Sequence, residues 1–243
     1  MKKWIKELVS SFGYKIVRKQ PEYVEYPFAQ TQEGMMIEVL QRYQIDLLID
    51  VGASYGYWAK KLRTNGFGGD IISFEPQPLV FNELLKQVNL DNKWKAFAYA
   101  LGDRSEEIEM NISDYTPSSS MSAMCARHVE AMPETQYTNT QIVEVKTLDE
   151  FWHKECQNHT NIFVKLDVQG FENKVLDGGK NALANIKCLQ LEMAFTKLYE
   201  DDLCFFEMFE KVKSYGFNVA EIFSGFKDEK TGELLQADVI FYR

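Results

Sequence analysis

The sequence predicts an α/β protein built on a doubly wound, mostly parallel sheet. Three observations carry that expectation. Short continuous apolar runs recur along the chain, each followed by turn-forming residues, as in strands covered on both faces. Helical segments fall between many of these runs, and strand–helix–strand alternation builds parallel sheets. The last run follows its predecessor across a loop without an intervening helix, which makes the final pair antiparallel.

Taken in order, residues 1–19 read as an amphipathic helix, with Trp4, Ile5, Leu8, Val9 and Phe12 on one face and Lys2, Lys3, Lys6 and Glu7 mostly off it. Such a helix serves as a packed cap, a homo-oligomer contact or a weak membrane-surface contact. Pro21 and Pro27 break the chain before a second helix near residues 33–43. Residues 1–45 thus form an N-terminal helical extension to a domain over 46–243. Strands are expected at 47–51, 70–74, 94–99, 162–166, 189–191, 217–222 and 237–242, the last after a loop at 225–235. Helices are expected at 57–65, 79–88, 172–185 and 203–215. One stretch breaks the rhythm. After a hairpin around 108–112, residues 113–141 are rich in Ser, Thr and Met without clean periodicity. An insert of that length is expected to act as a lid that closes over a substrate.

The 243 residues are 45% hydrophobic and 26% charged, with a net charge of −9. That composition supplies a proper core and excludes a disordered chain or a small disulfide scaffold. The acidic balance argues against nucleic acid as a partner, since counterion displacement needs clustered positive charge. Cys125, Cys156, Cys188 and Cys204 show no CxxC spacing, so neither a zinc knuckle nor a redox pair is indicated. No apolar run reaches the ~18 residues of a membrane span, and the first residues lack a signal peptide's apolar stretch. The expected address is the cytoplasm.

Two strand tips carry the first chemical signals. Asp50-Val51-Gly52-Ala53-Ser54-Tyr55-Gly56 ends the first strand. Gly52 lets backbone approach a ligand closely, and Gly56 opens a helix whose free N–H groups face that ligand. Glu75, before Pro76 at the tip of the next strand, is placed to accept both hydroxyls of a ribose. Together they point to an adenosine-type cofactor. A dinucleotide fingerprint would need glycines where Ser54 and Tyr57 stand. S-adenosylmethionine, which has no phosphate, fits better. A third tip, Lys165-Leu166-Asp167-Val168-Gln169-Gly170-Phe171-Glu172, sets acids around the same crevice.

With these residues in view, the segment from about 47 to 217 resembles the FkbM family of S-adenosylmethionine-dependent methyltransferases. The family's D-V-G-A-N-x-G is similar to residues 50–56, its F-E-P to 74–76 and its A-L-x-D to 100–103. Its V-x-T-L-D matches 145–149, and its K-I-D-V-E-G-x-E resembles 165–172. The resemblance implies a seven-stranded class I methyltransferase (Rossmann-like) sheet, order 3-2-1-4-5-7-6, last strand antiparallel, and methylation of an oxygen. Ser54 stands where the family usually has Asn, and Gln169 where it usually has Glu. The second change removes a carboxylate and weakens the case for a metal.

On this reading Glu75 fixes the ribose, while Gly52, Ala53, Ser54 and Gly56 admit the methionine portion. Asp50 binds near its amino group, Pro76, Leu101 and Asp103 border the adenosine, and Asp167 faces the transfer zone. Asp167, Glu192 and His128 are the candidates for the base that removes the acceptor's proton. His153 and His159 are read as surface residues away from the strand tips. Magnesium held by Asp167, Glu172 and Glu192 is conceivable but not favoured. The acceptor is expected to be a hydroxyl of a sugar, glycan or small natural product. The competing readings are a nicotinamide-dependent oxidoreductase and a non-catalytic cofactor-binding module.

Overall fold

A computed structural model describes residues 28–243, so the amphipathic helix expected over residues 1–19 lies outside the described residues. Among them are ten strands: β1 (Leu47–Val51), β2 (Asp70–Phe74), β3 (Trp94–Phe97), β4 (Ala100–Gly102), β5 (Glu106–Ser113), β6 (Tyr137–Thr147), β7 (Ile162–Leu166), β8 (Ile186–Ala194), β9 (Asn218–Ser224) and β10 (Gln236–Tyr242). The α-helices are α1 (Gln32–Arg42), α2 (Tyr57–Thr64), α3 (Pro78–Val88), α4 (Ala126–Ala131), α5 (Leu148–Glu155), α6 (Glu172–Asp177), α7 (Lys180–Leu183) and α8 (Phe205–Ser214).

Seven strands form one sheet in the order β3-β2-β1-β7-β8-β10-β9. All pairs are parallel except those of β10, which runs antiparallel to β8 and β9. This is the expected doubly wound order. Every residue of β1 and β7 is buried, which is why both read as continuous runs. Leu47, Ile49 and Val51 enter the core with Phe151, Val175 and Val212 of the helices on one face. Leu48 turns to the other face with Ala59, Leu84 and Phe163. Local chemistry sets the helix starts. Thr31 and Thr147 accept hydrogen bonds from the N–H groups of Gly34 and Glu150, each at 3.1 Å, opening α1 and α5.

Three expectations change. The helix expected over 172–185 breaks at Gly178 and Gly179, where the chain packs so closely on Gly102 that a Cβ on Gly178 would lie 1.9 Å from its carbonyl oxygen. Asp149 then starts α7 by accepting the N–H groups of Asn181 (3.1 Å) and Ala182 (2.7 Å). The run at 94–99 ends at Phe97, and the chain crosses into a second sheet of order β4-β6-β5. Residues 108–112 form no hairpin of their own. They lie inside β5, which pairs antiparallel with β6, Ile108 opposite Val143 and Ile112 opposite Asn139. Residues 137–141 of the aperiodic interval are therefore strand. They are largely exposed and buried on neither face, so no alternation marks them. Among the described residues no helix is long and apolar enough to cross a membrane.

Candidate active site

The parallel strands β1, β2, β7 and β8 end on one side of the sheet, and the loop after β1 lies at the centre of that edge. The N–H groups of Gly52 and Ala53 both donate to the carbonyl of Phe74 (3.1 and 2.9 Å), tying this loop to β2. Ser54 follows with φ +49°, and its N–H donates to Glu75 Oε2 at 3.0 Å. Gln77 N–H donates to Glu75 Oε1 at 2.8 Å. Each carboxylate oxygen thus holds one backbone donor and keeps further lone pairs. Burial raises the Glu75 value to about 7 against the pull of these two N–H groups.

Both glycines serve protein contacts first. Gly52 has φ +78°, and a Cβ there would lie 1.9 Å from the Asp167 carbonyl oxygen. The atom that comes close is therefore backbone at the tip of β7. At Gly56, a Cβ would meet Leu84 of α3 at 2.6 Å, and Gly56 lines none of the cavities described next.

Three cavities meet at this edge. A narrow cleft of about 50 Å³ runs beside Glu75 between Pro76, Leu101, Met110, Met121 and Val168. A pocket of about 260 Å³ is bounded by Asp167, Gln169, Glu192, His128, Met132 and Phe226. A wider cavity of about 460 Å³ is lined by Ala53, Tyr55, Trp58, Asp114, Tyr115 and Lys165. Gly52, Ser54, Pro117 and Asp167 border all three.

Asp50 and Asp103 are absent from these walls. Asp50 is fully buried beneath the loop, where its Oδ1 pairs with Lys165 Nζ at 3.4 Å and its Oδ2 has no partner. Asp103 faces Lys174 at 3.6 Å. Neither acid faces these cavities, so on the sequence reading Asp50 would act on the amino group through water. Lys165 reaches instead, joining Asp50 to Asp167 Oδ2 (3.0 Å) across the parallel pairing of β1 and β7.

The three candidate bases share the 260 Å³ pocket. His128 is buried, edge-on to the Tyr199 ring, with no partner for its Nδ1. Burial lowers it to about 4, so its imidazole is neutral at pH 7. Glu192 stands well above the carboxylate range, raised by burial and then by Asp167, Asp238 and Glu172. Around the pocket five acids (Asp50, Asp167, Glu172, Glu192, Asp238) face one ammonium, Lys165.

Glu172 is turned into its own loop, where its two oxygens accept Val168 N–H (2.8 Å) and Gly170 N–H (3.1 Å), and it lines none of the three cavities. It braces the loop after β7. Burial raises it to about 8. His159 lies at the opposite sheet edge, partly buried near Asp46 and Asp70. The residues that sequence reasoning missed are Tyr199, which donates to Gln169 Oε1 at 2.7 Å, together with Phe226 and Gln236. No local pattern announces them, since they reach the site only through the packing of distant loops.

The model of the family described as the methyltransferase FkbM domain matches residues 50–219, from the acid of β1 into β9. The chain belongs to the FkbM methyltransferase family. Its matched residues form the S-adenosylmethionine-dependent methyltransferase domain of that family. The 2-O-methyltransferase NoeI of Sinorhizobium fredii is 22% identical over 194 residues, covering 77% of this chain and 79% of that protein. The crystal structure of methyltransferase FkbM from Methylobacillus flagellatus superposes with a TM-score of 0.54 at 15% identity, over 90% of this chain. The chain spans about half of that protein, 48%. That likeness concerns the fold.

The FkbM motifs now have physical meanings. In V-x-T-L-D, Val145 pairs with β4 and β5, Thr147 caps α5 and Asp149 caps α7. In F-E-P, Glu75 cross-links the loops after β1 and β2. The donor set fits the family's cofactor. A carboxylate with spare lone pairs sits in a mostly apolar cleft beside an acid-rich pocket, as an adenosyl group carrying a sulfonium requires.

Proposed function

We propose that this FkbM protein transfers a methyl group to a hydroxyl of a sugar, a glycan or a small natural product. One observation carries the reading: the cleft beside Glu75 and the pocket of Asp167, Glu192 and His128 adjoin at Gly52, Ser54, Pro117 and Asp167. A ligand held by its ribose at Glu75 then has its far end beside the carboxylates. Pro76 and Leu101 border the adenosine, and Ala53 and Lys165 face the methionine end.

S-adenosylmethionine supplies an electrophilic methyl on sulfur. The chain's residues hold the acceptor oxygen in line and take its proton. Glu192 is the base of choice, because it faces the pocket with Oε1 free while Oε2 is held by Gln169, and burial makes its carboxylate a stronger proton acceptor than an exposed one. Asp167 keeps its place against Lys165, and neutral His128 closes the pocket wall beside Tyr199. The mixed wall of Ser118, Gln169, Gln236, Met132 and Phe226 supports a hydroxylated ring as acceptor. The name of the Sinorhizobium fredii relative, a 2-O-methyltransferase, supports oxygen as the methylated atom.

The deciding measurement is thermal stabilisation by S-adenosylmethionine and S-adenosylhomocysteine. A ligand at 100 times its Kd stabilises by about 2.7 kcal/mol. Glu75→Ala is expected to abolish the shift. Stabilisation by NAD instead, or none by either adenosyl compound, would reject the assignment. Cofactor binding without methyl transfer to a broad panel of glycans and hydroxylated metabolites would favour a binding module.

A further inference from the structure

Gln169 occupies the centre of the transfer site. Its Nε2 donates to Asp167 Oδ1 at 2.8 Å and to Glu192 Oε2 at 3.0 Å, which uses both hydrogens of the amide. Its Oε1 accepts the Tyr199 hydroxyl at 2.7 Å. The reverse amide orientation would aim an oxygen at two carboxylates, so the hydrogen-bond network fixes which end points where. The backbone is held as firmly. Gln169 has φ +55°, and its carbonyl accepts Ser120 Oγ from the insert at 2.5 Å. Tyr199, fully buried, packs against Gly170, where a Cβ would lie 2.4 Å from its own.

Two acids from adjacent strands at one pocket repel each other whenever both are ionised, and proteins manage such pairs with a shared proton, a cation or a donor placed between them. Here the donor is an amide. We infer that Gln169 is the positioning residue of the transfer site, its amide standing in for a bridging cation so that Asp167 and Glu192 hold their geometry without a divalent metal. The inference rests on the methyl-transfer reading but speaks only of what organises the two acids. A glutamate at this position, the residue usual in the FkbM pattern, would place a third carboxylate among them and call for a cation.

Manganese titration of the full chain tests this, with electron paramagnetic resonance reporting bound Mn²⁺ and melting temperature reporting stability. The wild type is expected to show no saturable Mn²⁺ signal at this site. Gln169→Glu is expected to gain one, lost again when Asp167→Asn is added. If Gln169→Glu fails to fold, Gln169→Leu carries the test. Without the amide donor, the Glu192 midpoint followed by carboxyl NMR should rise by about one unit. Saturable Mn²⁺ binding by the wild type that Asp167→Asn removes would overturn the inference. So would a folded Gln169→Glu with no gain in Mn²⁺ binding, or an unmoved Glu192 in Gln169→Leu. S-adenosylhomocysteine binding by the wild type is the separate control: its absence sinks the methyl-transfer reading, whereas the Mn²⁺ and NMR arms bear on Gln169 alone.

Discussion

Ser54 holds a left-handed backbone, φ +49°, so that its N–H can reach Glu75. Left-handed conformations cost a non-glycine residue about 1 kcal/mol or more, and Asn tolerates them best. The family's usual Asn is thus explained by backbone geometry as well as by ligand contact. Ser54→Asn is expected to raise stability by up to about 1 kcal/mol in urea denaturation while cofactor binding persists. Glu75 gives a second prediction. On the proposed reading ribose hydroxyls donate to its ionised form, and burial raises its value to about 7. Cofactor affinity should therefore weaken as pH falls through 7, by up to tenfold per unit, and calorimetric titration from pH 8 to 5.5 would measure it. A flat profile would mean that Glu75 does not meet the ribose as a carboxylate.

Between elements, the site depends on couplings that cross strands and loops. Lys165 of β7 neutralises Asp50 of β1 and Asp167 beyond its own strand end. Removing a partner from a buried ion pair leaves an uncompensated charge and costs about 3–5 kcal/mol. Lys165→Met should lose about that much, and adding Asp50→Asn should restore part of it in a double-mutant cycle. The insert is a second coupling. Residues 114–136 dock on the loop after β8 through Cys125 N–H to the Leu198 carbonyl (2.8 Å), Glu200 N–H to the Ala123 carbonyl (2.9 Å) and Ser122 Oγ to Asp201 (2.8 Å). Their Pro117 and Met121 narrow the cleft beside Glu75 to about 50 Å³, below the few hundred typical of ligand sites. On the proposed reading, entry of an adenosine beside Glu75 requires this segment to shift. Hydrogen exchange over 114–122 should change on S-adenosylhomocysteine binding, while exchange in β1 and β7 stays as it was.

For the molecule as a whole, the buried acids set the pH dependence of stability. Glu75, at about 7, and Glu172, at about 8, lie above their unfolded value near 4.5. Between those values the folded chain binds more protons than the unfolded chain, so stability falls as pH rises. For Glu75 alone the loss is about 3 kcal/mol once pH has passed 7, taking 1.36 kcal/mol per unit. Surface acids act in the opposite sense. Glu33 and Asp91, lowered below their ordinary values, contribute stability that disappears as pH falls through their folded values. The melting temperature is expected to peak on the acid side of neutrality and decline toward pH 8.5. A peak at pH 8 or above would contradict the burial of these carboxylates as protonated acids.

The amino-acid order alone determined the sheet, because parallel strands buried on both faces are mostly apolar, save for paired charges such as Asp50 and Lys165, and their helices must carry one apolar stripe. Leu47–Val51 and Ile162–Leu166 were legible to the residue for that reason. It also marked Glu75 and Asp167, since strand tips followed by turns are where an α/β sheet exposes side chains. Tertiary structure decided what each acid does. Asp50 went under the loop to Lys165, Asp103 out to Lys174 and Glu172 into the backbone of its own turn. It also brought His128, Tyr199 and Glu192 together around Gln169 from three separate segments. Local periodicity reports which way a side chain faces along its own element. Which charges meet depends on how distant elements close over one another, and that is settled only when the whole chain packs.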